Sequence, residues 1–358
     1  MKLVKVSKLL DYDPVPSSRS IRSRESQRVH ALQPSPPALE EEKRSRALAY
    51  WQRFTSLEDP VWFDFYCQRT GVFDERFVPH DLYYAEIDRV LNDLHRATGV
   101  DDKMLYARLF PGARQPRTVC FRAGGAYWAA PGQPVTEEEA LALLRREGTV
   151  IFKQPVLHCG GHGVRIVDVD RNMEETLRVL RNIPEFVAQA LIRQHPSTAV
   201  FHADSVNTLR LITYLRENGQ AVVLSSVLRM GSGGSRVDNV SSGGCSCGLL
   251  EDGTLKETGY SAQGWPIQAH PSGVPFARHR ISAYPSAAKQ AAALHGFLPQ
   301  FGLIAWDFAV DEENQPVLIE INIGNVSIDF MQFNNGPLFG PWTEEVLERV
   351  YRLPLKEG

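Results

Sequence analysis

Little in this chain is extreme, and each shortage removes a class of protein. Cysteine is scarce: five residues in 358, at positions 67, 120, 159, 245 and 247. An odd number at irregular spacing in so long a chain does not make a disulfide framework. Cys245-Ser246-Cys247 lacks CxxC spacing and has no His/Cys cluster beside it, so these residues read as ordinary thiols. Charge of one sign is lacking too. A formal net charge of −3 argues against generic nucleic-acid binding, which calls for a strongly basic balance. No apolar run approaches the length of a membrane span and the first residues hold no apolar signal core, so the expected location is the cytoplasm. No Ser/His/Asp or Cys/His set stands out, and neither the Walker nor the dinucleotide glycine spacing is met.

What is present is a chain of ordinary globular composition, 43% hydrophobic and 23% charged, long enough for two or three domains. Residues 1–36 are rich in Ser, Arg and Pro and read as a flexible lead-in. Residues 37–100 read as a helical, aromatic region, with helices carrying Ala47, Leu48, Trp51 and Phe54, then Trp62 to Tyr66, then about His80 to Ala97. Residues 101–185 mix helices with strands, and Thr136 with Glu139 has capping-box spacing. Residues 186–358 carry further strands, a loop-like stretch from Asp252 to Pro285, and a helix, PSAAKQAAALHGFLPQF. The pattern predicts an α/β fold of the α+β kind.

The most informative stretch is Phe301 to Asn325, which reads as two apolar strands joined by the turn Asp311–Pro316. Asp307 interrupts the first arm; Glu320 and Asn322 interrupt the second on one face, since the side-chain period of a strand is two. Two carboxylates and a carboxamide at close quarters suit a hard cation such as Mg²⁺, shared with phosphates. The competing reading is a surface hairpin whose acids face water. Upstream, Lys153 ends an apolar strand, VIFKQP, just before the glycine loop HCGGHGV. Amide donors beside a positive charge suit a triphosphate, although many hairpins contain two glycines. Phe186 to Ile192 reads as an apolar strand holding Gln189, suited either to an adenine-binding linker or to an ordinary core. Asn218-Gly219 predicts a hairpin that brings Arg210 and Arg229 together. With no acid nearby in sequence, the two arginines ask for an external anion such as phosphate. Asn239 and Gly243-Gly244 lie in a Gly/Ser-rich loop flexible enough to close over a ligand.

In this order the motifs DDK, VIFKQP with GGHGV, AQALIRQHP, VNTLRLIT, LRMGSGG, VDN…GG and WDFAV…LIEIN resemble those of an ATP-grasp protein. The resemblance runs from about Phe77 to Asn325. It is strongest to the sugar-transfer-associated ATP-grasp group, which is related to alpha-L-glutamate ligases. It implies two α+β subdomains sandwiching ATP, with Lys103 and Lys153 on the phosphates and Gly160, Gly161 and Gly163 as a lid. It implies that Gln189, with the backbone of Ala190 and Ile192, reads adenine, and that Gln194 or His195 lies near the ribose. Arg210, Arg229 and Asn239 would surround the transferred phosphate, and Asp307, Glu320 and Asn322 would hold Mg²⁺, or Mn²⁺ in its place. Two positions depart from related patterns. The D-alanine–D-alanine ligases carry an arginine where this chain has Ala305, and the linker position often holds Glu where this chain has Gln189.

The activity this resemblance implies is ATP-dependent carboxylate–amine ligation through an acyl phosphate, releasing ADP and phosphate. Arg229, Arg210 and Lys153 would then be the catalytic residues. The partners would be a small-molecule carboxylate and an amine: an amino acid, a peptide or a sugar-linked compound. The alternatives are a kinase for a small molecule or saccharide, and a non-catalytic nucleotide-sensing module.

Overall fold

Strand periodicity and turn chemistry shape most of the molecule. The computed structural model describes residues 17–32, 39–57, 59–97, 99–156, 164–233, 243–324 and 326–352. The expected lid glycines Gly160, Gly161 and Gly163, and Asn239, lie outside them.

A six-stranded antiparallel sheet is built from β1 (Thr118–Ala123), β2 (Ala126–Ala130), β3 (Gln133–Val135), β4 (Thr149–Lys153), β5 (Arg165–Asp168) and β6 (Phe186–Ala190). Its order is β3-β2-β1-β6-β4-β5. Gly124 and Gly125, both at positive φ, close the two-residue turn between β1 and β2, as right-handed strand twist requires. Helices Glu137–Glu147 and Met173–Asn182 cover one face, where Ala140, Leu144, Val179 and Leu180 pack on Val150, Phe152, Phe186 and Ala188. Thr136 and Glu139 form the expected capping box. Because β6 lies between β1 and β4, this unit extends to Ala190, past the boundary expected before Phe186.

The second sheet has seven strands, again all antiparallel: β7 (Thr208–Leu215), β8 (Ala221–Met230), β9 (Cys245–Leu249), β10 (Leu255–Ser261), β11 (Pro266–Ile267), β12 (Leu303–Val310) and β13 (Pro316–Asn322). The order is β11-β10-β9-β8-β7-β12-β13. One face packs Leu209, Leu211, Ile304 and Trp306 against the helix Tyr284–His295 through Ala287, Ala291 and Leu294. The other packs Ile212, Tyr214, Val227, Leu303 and Ala305 against Trp62, Tyr66, Leu82, Ile328 and Met331. The N-terminal helices therefore share a core with this sheet.

Several sequence expectations need correction. A helix spans Ser18–Leu32 inside the stretch expected to be flexible. It buries Val29, and Arg22 and Arg28 pair with Glu86 and Asp329. The helix expected over His80–Ala97 breaks at Asn92, whose extended backbone and Oδ1, 3.2 Å from the Leu303 amide it accepts, anchor the start of β12. Within the stretch read as loop, Leu255–Ser261 is a strand paired with Cys245–Leu249. After Asp101, where the sequence DDKMLYARLFPG reads as an N-capped helix, the structure has a single helical turn, Tyr106–Leu109.

Candidate active site

The alternation that buries Leu303 and Ala305 puts Asp307 on the same face, further along β12. By the same logic Arg210 follows Tyr214 and Ile212 on β7, and Arg229 follows Val227 on β8. Register does the rest: Asp307 lies opposite Glu320 on one side and Arg210 on the other, and Ala305 lies opposite Asn322. A bulge follows the Asp307–Glu320 pair, where Phe308 pairs with Leu318 and Ile319 is the extra residue. Such a bulge re-aims nearby side chains.

Arg210 Nε donates to Asp307 Oδ1 at 2.7 Å, and its terminal nitrogen donates to Oδ2. Arg229 reaches Oδ2 at 3.4 Å and Asn322 Nδ2 reaches it at 3.3 Å. The expectation that the two arginines lack an acid is therefore wrong: antiparallel pairing of β7 with β12 supplies Asp307, 97 positions along the chain from Arg210. Burial alone would raise the Asp307 carboxyl, but Arg210 and then Arg229 outweigh it and hold it below the usual range.

Lys103 reaches the same patch from the segment before the first sheet, its Nζ 3.2 Å from Glu320 Oε2. Two neighbours that sequence reasoning missed fix that segment. The Tyr106 hydroxyl donates to Asp101 Oδ1 at 3.1 Å and accepts the Ile321 amide at 3.1 Å. Burial pushes the Asp101 carboxyl up to about 6, against the pull of Lys103 and Tyr106. Asp101 opens the DDK motif two positions before the lysine, and that place in the motif was its one visible signal.

On the first sheet, Val150 and Phe152 face the covering helices, so Ile151 and Lys153 project from the opposite face. Gln189 lies opposite Ile151, and Val187 opposite Lys153, which places Gln189 and Lys153 on this helix-free face. Gln189 is buried, and its Oε1 meets no donor among the described residues. Ala190 and Ile192 line a cleft of about 280 Å³ that also meets Asp311 of the β12–β13 turn and Val317 of β13. Gln194 and His195 serve the chain itself. Gln194 Nε2 donates to the carbonyls of His202 and Ser205, and its Oε1 accepts from Asn207. His195 Nδ1 caps the turn at Ser197, and its amide donates to Val310 O. Those bonds occupy the Gln194 amide and one His195 ring nitrogen.

The metal expectation meets a specific obstacle. The donors Asp307, Glu320 and Asn322 do converge, and their oxygen chemistry suits a hard cation. Yet both Asp307 oxygens are already held by arginine, and Oδ2 alone receives three donors. As arranged here, Asp307 does not fit a metal ligand. Among the described residues there is also no group of three or more His, Cys, Asp or Glu placed to hold an ion.

Two antiparallel sheets, with Lys103 from the segment before the first reaching a carboxylate and arginine patch on the second, are the arrangement of an ATP-grasp protein. The sequence matches the sugar-transfer associated ATP-grasp family over residues 83–346, and the chain belongs to that family. No curated protein matches it. Among solved structures it is similar to the VanG D-Ala:D-Ser ligase from Enterococcus faecalis, at 14% identity and a TM-score of 0.43, covering 70% of this chain and 60% of that one. The D-alanine-D-alanine ligase from Coxiella burnetii matches at 13% and 0.39, covering 75% and 59%. The biotin carboxylase domain of the Hydrogenobacter thermophilus 2-oxoglutarate carboxylase, solved with MgADP, matches at 12% and 0.41, covering 72% and 47%. The chain thus spans only about half to three fifths of the length of these proteins. Among the described residues no helix is long and apolar enough to cross a membrane.

Proposed function

We propose that the chain is an ATP-dependent carboxylate–amine ligase working through an acyl phosphate. The observation that carries this reading is the convergence of Lys103, Arg210 and Arg229 with Asp307 and Glu320 on one sheet face. Such a charged patch suits phosphoryl transfer, where catalysis is mostly positioning and charge stabilisation.

ATP would lie between the sheets, its adenine at the Gln189–Ile192 linker and its phosphates toward Lys103 and Lys153. The buried Gln189 Oε1, which meets no donor among the described residues, supports this placement, since an amide oxygen accepts the adenine amine as a Glu carboxylate does. Lys103 and Arg229 would neutralise the γ-phosphoryl as it passes to a substrate carboxylate. In the chemistry that follows, an amine attacks the acyl carbon, an amide bond forms, and phosphate leaves. The acceptor class stays broad: an amino acid, a peptide or a sugar-linked compound.

The test is to incubate the protein with ATP, Mg²⁺ and mixtures of candidate acids and amines, and to identify products by mass spectrometry. ADP with a new amide supports the ligase. ADP with a phosphorylated acceptor points to a kinase, and nucleotide binding without turnover points to a sensing module. AMP with pyrophosphate sinks both enzyme readings.

A further inference from the structure

We propose that Arg210 is a latch on Asp307, keeping this carboxylate from a divalent cation until a polyphosphate draws the guanidinium away. The proposal rests on the nucleotide reading above and deepens it, by assigning an order to what enters the site. Three relationships carry it.

The first is the occupancy of Asp307. Its side chain is 3% exposed and Arg210's is 8%. The Nε and terminal nitrogen of Arg210 take one carboxylate oxygen each, the two-pronged geometry in which arginine holds carboxylates most firmly. Each oxygen offers two lone pairs, and Oδ2 already meets Arg210, Arg229 and Asn322. Oδ1 keeps a second lone pair, but a cation there would sit against the Arg210 guanidinium, so Asp307 becomes a good cation ligand once Arg210 lets go.

The second is charge. At Asp307 itself two guanidiniums, Arg210 and Arg229, stand against one carboxylate, while Glu320 is paired with Lys103. Adding a dication to so buried a group drives like charges together, and a buried charge without its partner is strongly unfavourable. A polyphosphate reverses this balance. Its oxygens suit the same guanidinium fork, so Arg210 changes partner without losing one.

The third is the contrast with Glu320. Its side chain is 28% exposed, and it pairs with the single charge of Lys103 at 3.2 Å in place of a two-pronged guanidinium. Glu320 with Asn322 is therefore the half of the donor set that meets a cation first. The latch on the other half is set by strand register, because Arg210 stands directly opposite Asp307.

The experiment measures Mn²⁺ binding by electron paramagnetic resonance for the wild type and Arg210→Met, each with and without ADP. ADP binding is followed separately by calorimetry in Mg²⁺. The wild type is expected to bind Mn²⁺ weakly alone and about tenfold or more tighter with ADP, the usual size of coupling between linked sites. Arg210→Met is expected to bind Mn²⁺ alone about tenfold tighter than the wild type, with a smaller gain from ADP. Arg210→Lys, which keeps the charge but loses the fork, is expected to fall between them, and it decides the question if the methionine variant does not fold. Unchanged Mn²⁺ affinity in the variant, with ADP still bound, overturns the latch alone. Failure of the wild type to bind ADP overturns the nucleotide reading and the latch with it.

Discussion

Lys103 Nζ and Glu320 Oε2 lie 3.2 Å apart, an ion pair joining the segment before the first sheet to the last strand of the second. The Lys103 side chain is only 8% exposed, so the pair is screened less than a surface pair would be. A cation fixed there serves a phosphate oxygen only if its position holds without ligand, and Tyr106 supplies that support by binding both Asp101 and the Ile321 amide. Lys103→Ala is expected to raise the KM for ATP by roughly ten- to a hundredfold, the cost of one charged hydrogen bond. Tyr106→Phe should give a smaller rise in the same direction. Steady-state kinetics across ATP concentrations checks both, and an unchanged KM in Lys103→Ala removes the lysine from the phosphate site.

Gln189 gives a sharper test of where adenine sits. Its buried Oε1 has no donor among the described residues, and its neighbours on the helix-free face include Ile151. Gln189→Leu removes the acceptor and leaves an apolar side chain in the same buried place, so ATP affinity should fall by roughly five- to tenfold, the worth of one neutral hydrogen bond. Gln189→Glu keeps an acceptor and should bind ATP about as well as the wild type. Calorimetric titration with ATP checks both. Equal affinities across all three proteins would place the adenine elsewhere.

What the sequence reveals follows from the range of each interaction. The β12–β13 hairpin is legible because its alternation and turn are local, and Asp307 does face Glu320. The convergence of Arg210 and Arg229 is legible from the Asn218-Gly219 turn. Their acid is not, because the pairing of β7 with β12 joins residues 97 positions apart. Strand β10 hides for another reason. Gly259 interrupts its pattern, and a Cβ there would come within 2.6 Å of Phe276 Cε2, so the glycine marks close packing and not a loop. The helix Ser18–Leu32 escapes notice because ion pairs do much of its anchoring, with Ile21 and Val29 its buried apolar residues.

Acid sensitivity should concentrate at His295. This side chain is fully buried; Nδ1 faces Thr213 Oγ1 at 2.7 Å, Nε2 faces Phe301 O at 2.9 Å, and Trp306 Nε1 donates to the same threonine. Burial lowers its pKa from 6.5 to about 4, the carbonyl contact opposing only in part. The folded state therefore stays neutral while the unfolded chain takes up a proton below about 6.5. Stability from this group is complete above that pH, falls between 6.5 and about 4, and levels off below. The full loss is roughly 3 kcal/mol, since the free energy changes by about 1.4 kcal/mol per pH unit across that window. Urea unfolding at stepped pH, compared between the wild type and His295→Gln, isolates the contribution. A variant with the wild-type slope between pH 6.5 and 4 contradicts the assignment.

The helix Ser18–Leu32 should matter to stability and, through Asp329, to the segment that follows the strand carrying Glu320 and Asn322. Arg28 pairs with Asp329 at 2.9 Å and meets His80 Nδ1 at 3.0 Å, while His80 stacks on Trp62 with ring centres 4.6 Å apart. Asp329 lies in the first turn of the helix Ile328–Asn335 that follows β13, seven positions beyond Asn322, so Arg28 ties the N-terminal helix to the end of the candidate site. Val29 adds a fully buried side chain to the same core. Val29→Ala should cost roughly 2 kcal/mol, as a methyl-deleting core change does, without altering ATP affinity. Arg28→Ala leaves Asp329 and the buried Glu25 short of a cation, and should cost at least as much. Denaturant unfolding measures both, and ATP titration of each folded variant tests the connection to the site. If Arg28→Ala unfolds at the wild-type midpoint, the helix rests on the domain without holding it, and the charged network joining it to Asp329 contributes nothing.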